Sequence, residues 1–186
     1  GRRSPGVSVW GRLLRGFSAV PELPPGFAGR LEPAELVVTT GELAGSGHLV
    51  LTQRGMWVPE GAECRRIGWH LVSKAVWDRS ALVVTESVSA GMVGEAVLLS
   101  DLPPRHFALL EPGKVPEVVR ERVTSSIRSS RHCELPGGGA WFVQRRVPGQ
   151  DGLVLQVRAD PGTAPAALQA MIGEVVACSS WLAAQS

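Results

Sequence analysis

The chain of 186 residues carries few features of a metalloprotein, a membrane protein or a secreted disulfide-rich domain. Its three cysteines are odd in number and widely spaced, and no C-x-x-C pair or cysteine–histidine cluster indicates zinc. No apolar stretch approaches the roughly 20 residues that a membrane-spanning helix requires, and no hydrophobic signal-peptide core is present. We therefore expect a cytoplasmic protein that uses no metal and no cofactor.

The sequence also lacks the short motifs that mark common catalytic sites. G-x-S-x-G, the phosphate-binding P-loop, H-E-x-x-H and G-x-G-x-x-G are all absent. His132 and Cys133 are adjacent, but neighbours on a strand point to opposite faces and do not form a catalytic pair by themselves. We predict that the protein is not an enzyme.

Charge of one sign does not dominate either, because the formal net charge is only +2. Lysine occurs only at Lys74 and Lys114, and the excess of arginine beside alanine, valine, glycine and proline is typical of a GC-rich genome. A chain this close to neutrality has little electrostatic attraction for a polyanion. We expect no nucleic-acid partner.

What the sequence does contain is a series of short β-branched and aromatic runs separated by glycine, proline, aspartate or serine, which is typical of a barrel or a sandwich. The segment LVLTQRGMWVP predicts a hairpin with a tight turn at Gln53-Arg54-Gly55. Apolar residues at helical spacing predict helices over Val115–Ile127 and from Pro165 to about residue 184. The predicted strands are Glu35–Thr40, His48–Thr52, Gly55–Pro59, Arg65–His70, Lys74–Asp78, Ala81–Glu86, Ala96–Ser100, His106–Leu110, Arg131–Leu135, Ala140–Val147 and Leu153–Ala159.

The run LVLTQRGMWVP, followed by RRIGWHLVSKAVWD and ALVVTE, resembles the bacterial PH-like and GRAM-like families over roughly residues 35–127. The phrases IGW…KAVW and RRVPGQDGL are also similar to a conserved protein of actinobacteria. The resemblance implies an α+β fold: a PH-like β-barrel of about seven strands capped by a helix, with a C-terminal extension of three strands and a helix. It brings no catalytic motif.

This resemblance divides the chain into three parts. Residues 1–34 form an N-terminal amphipathic segment and a proline-rich linker, residues 35–128 the barrel with its capping helix, and residues 129–186 the extension, which packs on the barrel.

The candidate binding residues are three tryptophans and a group of cations. Trp57, Trp69 and Trp77 either line a groove for a peptide or an apolar ligand, or fill a small barrel core. Arg65 and Arg66, together with Lys74 and the nearby His70, either form a basic patch similar to the phosphoinositide sites of PH-like modules or are solvated strand charges.

The N-terminal segment Val9–Phe17 places Trp10 and Phe17 on one helical face, with Arg12 and Arg15 on the other. Such a segment predicts weak contact with an anionic membrane surface or a dimer interface, unless it docks on its own domain. The leading hypothesis is a non-catalytic module that binds another protein or itself. The alternative is a protein that binds a membrane surface or a small apolar ligand.

Overall fold

The computed structural model describes residues 21–177, which form an α+β fold with a curled sheet that makes a half-barrel and two helices. Trp10, Arg12 and Arg15 lie outside the described residues. The strands are β1 (Val37–Glu42), β2 (His48–Thr52), β3 (Gly55–Glu60), β4 (Glu63–Gly68), β5 (Val72–Asp78), β6 (Ala81–Val93), β7 (Ala96–Asp101), β8 (Arg105–Ala108), β9 (Ile127–Leu135), β10 (Gly138–Arg146) and β11 (Leu153–Ala159). The helices are α1 (Val115–Ser126) and α2 (Pro165–Ala177), and Trp69–Leu71 forms a short 3-10 helix.

The half-barrel is built from two antiparallel groups of strands. β1 to β4 pair in sequence order, while β5 and β8 flank the first half of β6. A bridge between Leu43 and Leu109 brings the end of β1 against the end of β8. The side chains that point inward form one apolar core, which α1 closes with Val115, Val118 and Val119.

The hairpin predicted between β2 and β3 is present, and Thr52 holds its turn. The hydroxyl oxygen of Thr52 accepts hydrogen bonds from the backbone N–H groups of Arg54 and Gly55, at 3.1 and 3.3 Å. A side chain at Gly55 would place its Cβ 2.3 Å from the carbonyl oxygen of Ile67 on β4. Glycine is therefore required here, because β3 approaches the neighbouring strand too closely for any other residue.

The sheet of the C-terminal extension contains the three expected strands, β9, β10 and β11, and it also includes two strands from the preceding part of the chain. The second half of β6, from Ser87 to Val93, pairs with β7, and β7 pairs in parallel with β11, where Gln156 lies opposite Val97. β10 and β9 complete this sheet. The sequence pattern hid the longer β6 because its apolar alternation ends at Glu86, beyond which the side chains are mostly exposed.

Helix α2 covers one face of this extension sheet. Phe142 and Val157 on the sheet pack against Leu168 and Ile172 on the helix, in a second apolar core separate from that of the half-barrel. The first helix ends earlier than predicted. Ile127 already has extended backbone angles (φ −89°, ψ 118°) and begins β9, so its side chain does not continue the apolar stripe of α1.

Residues 21–36 lie on the outer face of the sheet that β1 to β4 form, which we call the first sheet. Phe27 and Leu31 pack against a small third cluster on that face. The side chain of Gln53 also fastens the segment, since it donates a hydrogen bond of 2.6 Å to the carbonyl of Ala34 and accepts one of 2.7 Å from the N–H of Leu36. Within residues 21–177, neither helix has the length and apolar character needed to cross a lipid bilayer.

Candidate functional site

A groove runs between strand β5 and helix α1, with a volume of about 490 Å³. Its strand wall is made by Ala75, Val76 and Trp77. Side chains alternate between the two faces of a strand, so three consecutive residues line one groove only where it follows the strand edge. The helix wall is made by Pro116, Glu117, Val119 and Arg120, and Leu82 completes the lining. We call this site the β5–α1 groove.

The edge of β5 that faces this groove carries no partner strand among residues 21–177. β5 ends its sheet and pairs only with β6. An edge strand presents unpaired backbone N–H and C=O groups, to which an extended chain can add as a further strand. The side chain of Val76 is 43% exposed there, and Trp77 is partly buried against the core of the half-barrel. The groove thus combines backbone hydrogen-bonding groups with an apolar wall.

The three candidate tryptophans do not share one groove. Trp69 is buried in the core of the half-barrel, where its indole N–H donates a hydrogen bond of 2.9 Å to the carbonyl of Thr52. Trp57 is buried on the outer face of the first sheet, in edge-to-face contact with Phe27. Of the three, Trp77 alone lines the β5–α1 groove.

Arg65 and Arg66 do not form a joint basic patch, because they point to opposite faces of β4. Arg65 donates hydrogen bonds of 2.6 and 2.8 Å to the two carboxylate oxygens of Glu86, and it also pairs with Glu60. These hydrogen bonds, the pair with Glu86 above all, raise the pKa of the Arg65 guanidinium. The carboxylates of Glu60 and Glu86 therefore compensate the charge of Arg65. Lys74, the third cation of the predicted patch, lies exposed on β5.

Arg66 belongs to a network around a buried carboxylate. Glu35 is buried, and its oxygens accept hydrogen bonds from the Thr52 hydroxyl at 2.9 Å, the Trp57 indole N–H at 3.2 Å and Arg66 at 2.5 and 2.9 Å. Burial acts to raise the pKa of Glu35, but these hydrogen bonds, one from the backbone N–H of Glu32 and the charge of Arg66 bring it below its ordinary value. This network secures residues 21–36 on the sheet.

Arg145 on β10 is buried where the half-barrel meets the extension. Its guanidinium donates hydrogen bonds to the carbonyl oxygens of Val72 and Trp69, at 3.0 and 2.8 Å, and to the hydroxyl of Ser126. His70 lies nearby. Burial first, and then the charges of Arg145 and Arg66, lower the pKa of His70.

His132 lies beside the carboxylate of Asp160, and its partner is therefore not the neighbouring Cys133. Its Nε2 atom lies 2.7 Å from Asp160, and its ring contacts Trp141 edge-on, with 5.0 Å between the ring centroids. Within residues 21–177 no hydroxyl or thiol donates a hydrogen bond to this imidazole, and no three His, Cys, Asp or Glu side chains cluster as ligands for a metal ion.

Sequence reasoning identified Trp77 but missed Val76, Pro116 and Arg120. The alternating pattern of KAVWD assigns Val76 to the face opposite Ala75 and Trp77, which signals an apolar residue on the outer face of β5. The contribution of α1 carries no such signal, because its position depends on how the helix packs.

Comparisons of the chain with protein-family models, curated proteins and solved structures find no significant match.

Proposed function

We propose that this chain is a non-catalytic protein-interaction module of PH-like architecture, which binds an extended peptide segment of another protein in the β5–α1 groove. One observation carries the proposal: the open edge of β5 and the apolar wall of Val76 and Trp77 face the same groove. Backbone hydrogen bonds to such an edge supply affinity, and side-chain pockets beside it supply specificity.

The order of the elements supports the PH-like part of the proposal. A meander of four antiparallel strands is followed by a second antiparallel group, and then by a helix that closes the half-barrel. Strand β7 and the extension sheet are additions to that plan. β7 pairs with the second half of β6, and these additions contribute no residue to the lining of the β5–α1 groove.

The groove also indicates what the peptide contains. Val76 and Trp77 favour an apolar side chain, while Glu117 and Arg120 on the helix wall offer a carboxylate and a guanidinium. Because Glu117 and Arg120 lie only three residues apart on α1, they suit a peptide in which one basic and one acidic residue flank the apolar residue. A purely anionic ligand such as a phosphoinositide headgroup finds no concentrated positive charge here.

Peptide selection followed by an edge-strand variant tests the proposal. Random peptides displayed on phage are selected against the full chain, and their dissociation constants are measured by fluorescence anisotropy. We expect Val76→Asp to weaken the selected peptides by about tenfold or more, because a buried apolar contact at an interface contributes about 1–2 kcal/mol. Met92→Asp is the matched control, since Met92 is an exposed apolar residue on β6 that does not line the groove.

Hydrogen exchange distinguishes strand addition from simple adhesion to the apolar wall. Bound peptide is expected to slow the exchange of β5 backbone amides, because they become hydrogen-bonded to the added strand. Selected peptides that bind the Val76→Asp and wild-type chains equally, or that leave β5 exchange unchanged, contradict the proposal.

A further inference from the structure

A second cavity, of about 240 Å³, lies on the face of the extension sheet opposite α2. Phe142 and Val157 point toward α2, so alternation directs Trp141, Arg145 and Arg158 to the other face. All three line this cavity, and Ser73 of β5 contributes a wall from the half-barrel. The cavity therefore lies between the extension sheet and β5 of the half-barrel, and it shares no lining residue with the β5–α1 groove.

Arg145 is the unusual member of this lining. It is only 3% exposed, and within residues 21–177 it forms no ion pair with a carboxylate. The hydrogen bonds that it donates all go to neutral acceptors, Val72, Trp69 and Ser126. Burial, and then the charge of Arg158, lower the pKa of Arg145 to about 10, so it remains a cation at neutral pH.

The four hydrogen bonds that Arg145 donates also leave donor capacity unused. A guanidinium carries five N–H groups, so one N–H has no acceptor among residues 21–177. A buried cation without a counter-charge is costly unless an anion approaches it. The arrangement is thus incomplete in charge and in hydrogen bonding.

The other charged groups around the cavity are compensated or neutral. The Nε atom of Arg158 lies 3.3 Å from Asp101, whose carboxylate also accepts a hydrogen bond from Ser87. His70 has a lowered pKa, so it is neutral at neutral pH. Among the residues that the structure describes, the cavity consequently holds one uncompensated positive charge, which matches a monoanion better than a phosphate with a charge of about −1.5 to −2.

Apart from the two arginines, the lining has three polar residues, Ser73, Ser130 and Gln156, and an apolar surface. Trp141 is 43% exposed and Ile127 is 40% exposed, and Leu99 and Val143 complete this surface. The volume lies below the roughly 300–1,000 Å³ of cavities that hold drug-sized ligands. We infer that the cavity binds a small organic monocarboxylate, whose carboxylate meets Arg145 and Arg158 and whose apolar body packs against Trp141 and Ile127.

Titration calorimetry with four probes tests this site in the full chain at constant ionic strength. Benzoate supplies both the carboxylate and an apolar body, benzamide replaces the charge with a neutral amide, acetate lacks the body, and inorganic phosphate is a second anion. We expect saturable binding of benzoate. Benzamide is expected to bind about tenfold or more weakly, since a charge-assisted hydrogen bond contributes about 1.5–3 kcal/mol, and acetate is expected to bind more weakly because it lacks the apolar surface that packs against Trp141 and Ile127.

Two variants locate the site without touching Arg145, whose removal is expected to unfold the junction. Arg158→Gln and Trp141→Ala are each expected to weaken benzoate binding by about tenfold. Arg146→Gln is the matched control. Arg146 follows Arg145 on β10, is exposed and does not line the cavity. Circular dichroism verifies that each variant is folded.

Several outcomes overturn the inference. The site is not a carboxylate site if benzoate shows no saturable binding, or if benzamide or inorganic phosphate binds as tightly as benzoate. The cavity is not where benzoate binds if Arg158→Gln and Trp141→Ala bind it like the wild-type chain. Because the variants at Val76 and Arg158 lie in different cavities, failure here is distinguishable from failure of the peptide-binding proposal.

Discussion

Arg66 donates two hydrogen bonds to the buried carboxylate of Glu35, at 2.5 and 2.9 Å, across 31 residues of sequence. The same guanidinium lies over the ring of Trp57, with 5.6 Å from its Cζ atom to the ring centroid. The contact joins the segment before β1 to β4, at the far side of the first sheet. A residue predicted as part of a basic patch therefore acts as the partner of an acid that sequence reasoning did not single out.

Replacing Glu35 with glutamine is expected to destabilise the protein by roughly 2–4 kcal/mol, because Arg66 loses its counter-charge and the buried Trp57 and Thr52 donors lose a charged acceptor. Urea unfolding followed by circular dichroism measures the change in the free energy of unfolding. Glu63→Gln, at an exposed position on β4, is the control and is expected to change the free energy of unfolding by less than about 0.5 kcal/mol. Equal stability of the two variants would refute the role given to Glu35.

The free energy of unfolding is expected to decrease as the pH is lowered, in two separate pH ranges. The pKa of His70 is lowered by burial, so the unfolded chain takes up a proton near the ordinary value of 6.5 while the folded chain does not. Stability due to His70 is thus present above pH 6.5 and is lost as pH falls from there to the lowered pKa. The lowered pKa of Glu35 produces a second loss that begins only near its ordinary value of 4.5.

Unfolding free energies measured from pH 8 down to about pH 2 distinguish the two groups, because the loss due to Glu35 lies below pH 4.5. His70→Gln is expected to remove the slope that begins near pH 6.5 and to retain the one near 4.5, whereas Glu35→Gln removes the lower one. An unchanged slope near pH 6.5 in the His70 variant would show that another group titrates there.

Removal of Phe27 is expected to release residues 21–36 from the first sheet. Phe27 contacts Trp57 edge-to-face, with 5.5 Å between ring centroids, and few other apolar side chains secure this segment. Phe27→Ala is expected to accelerate cleavage within residues 21–36 by a protease, because local opening exposes the backbone. Leu23→Ala is the control, since Leu23 is already exposed. Cleavage at the same rate in both variants would exclude this role of Phe27.

The predictable part of the fold is the part governed by local patterns. The turn at Gly55 follows from two apolar runs around Gln53-Arg54-Gly55, and α1 follows from the valine spacing. The pairing of β11 with β7 does not, because parallel pairing at Gln156 and Val97 joins strands about 60 residues apart and leaves no local signature.

The two candidate sites also differ in how far a local sequence pattern reveals them. Trp77 was identified from its aromatic side chain alone, but the cavity around Arg145 depends on contacts with Val72 and Trp69, more than 70 residues away in sequence. Arginine on a strand normally points to solvent. Its burial here follows from the way the extension sheet packs on the half-barrel, which only the three-dimensional structure reveals.

Two tryptophans with opposite environments give the last prediction. Trp69 is 1% exposed in the core of the half-barrel, and its indole N–H satisfies the carbonyl of Thr52, whereas Trp141 is 43% exposed on β10. Trp69→Ala leaves a large void and an unpaired buried carbonyl, so we expect a loss of about 3–5 kcal/mol in the free energy of unfolding. Trp141→Ala removes mainly the edge contact with His132 and is expected to cost less than about 1 kcal/mol. Urea unfolding of both variants checks the difference. A loss of similar size at Trp141 would mean that its indole is buried in the folded protein, and the cavity beside it would then have no open apolar wall.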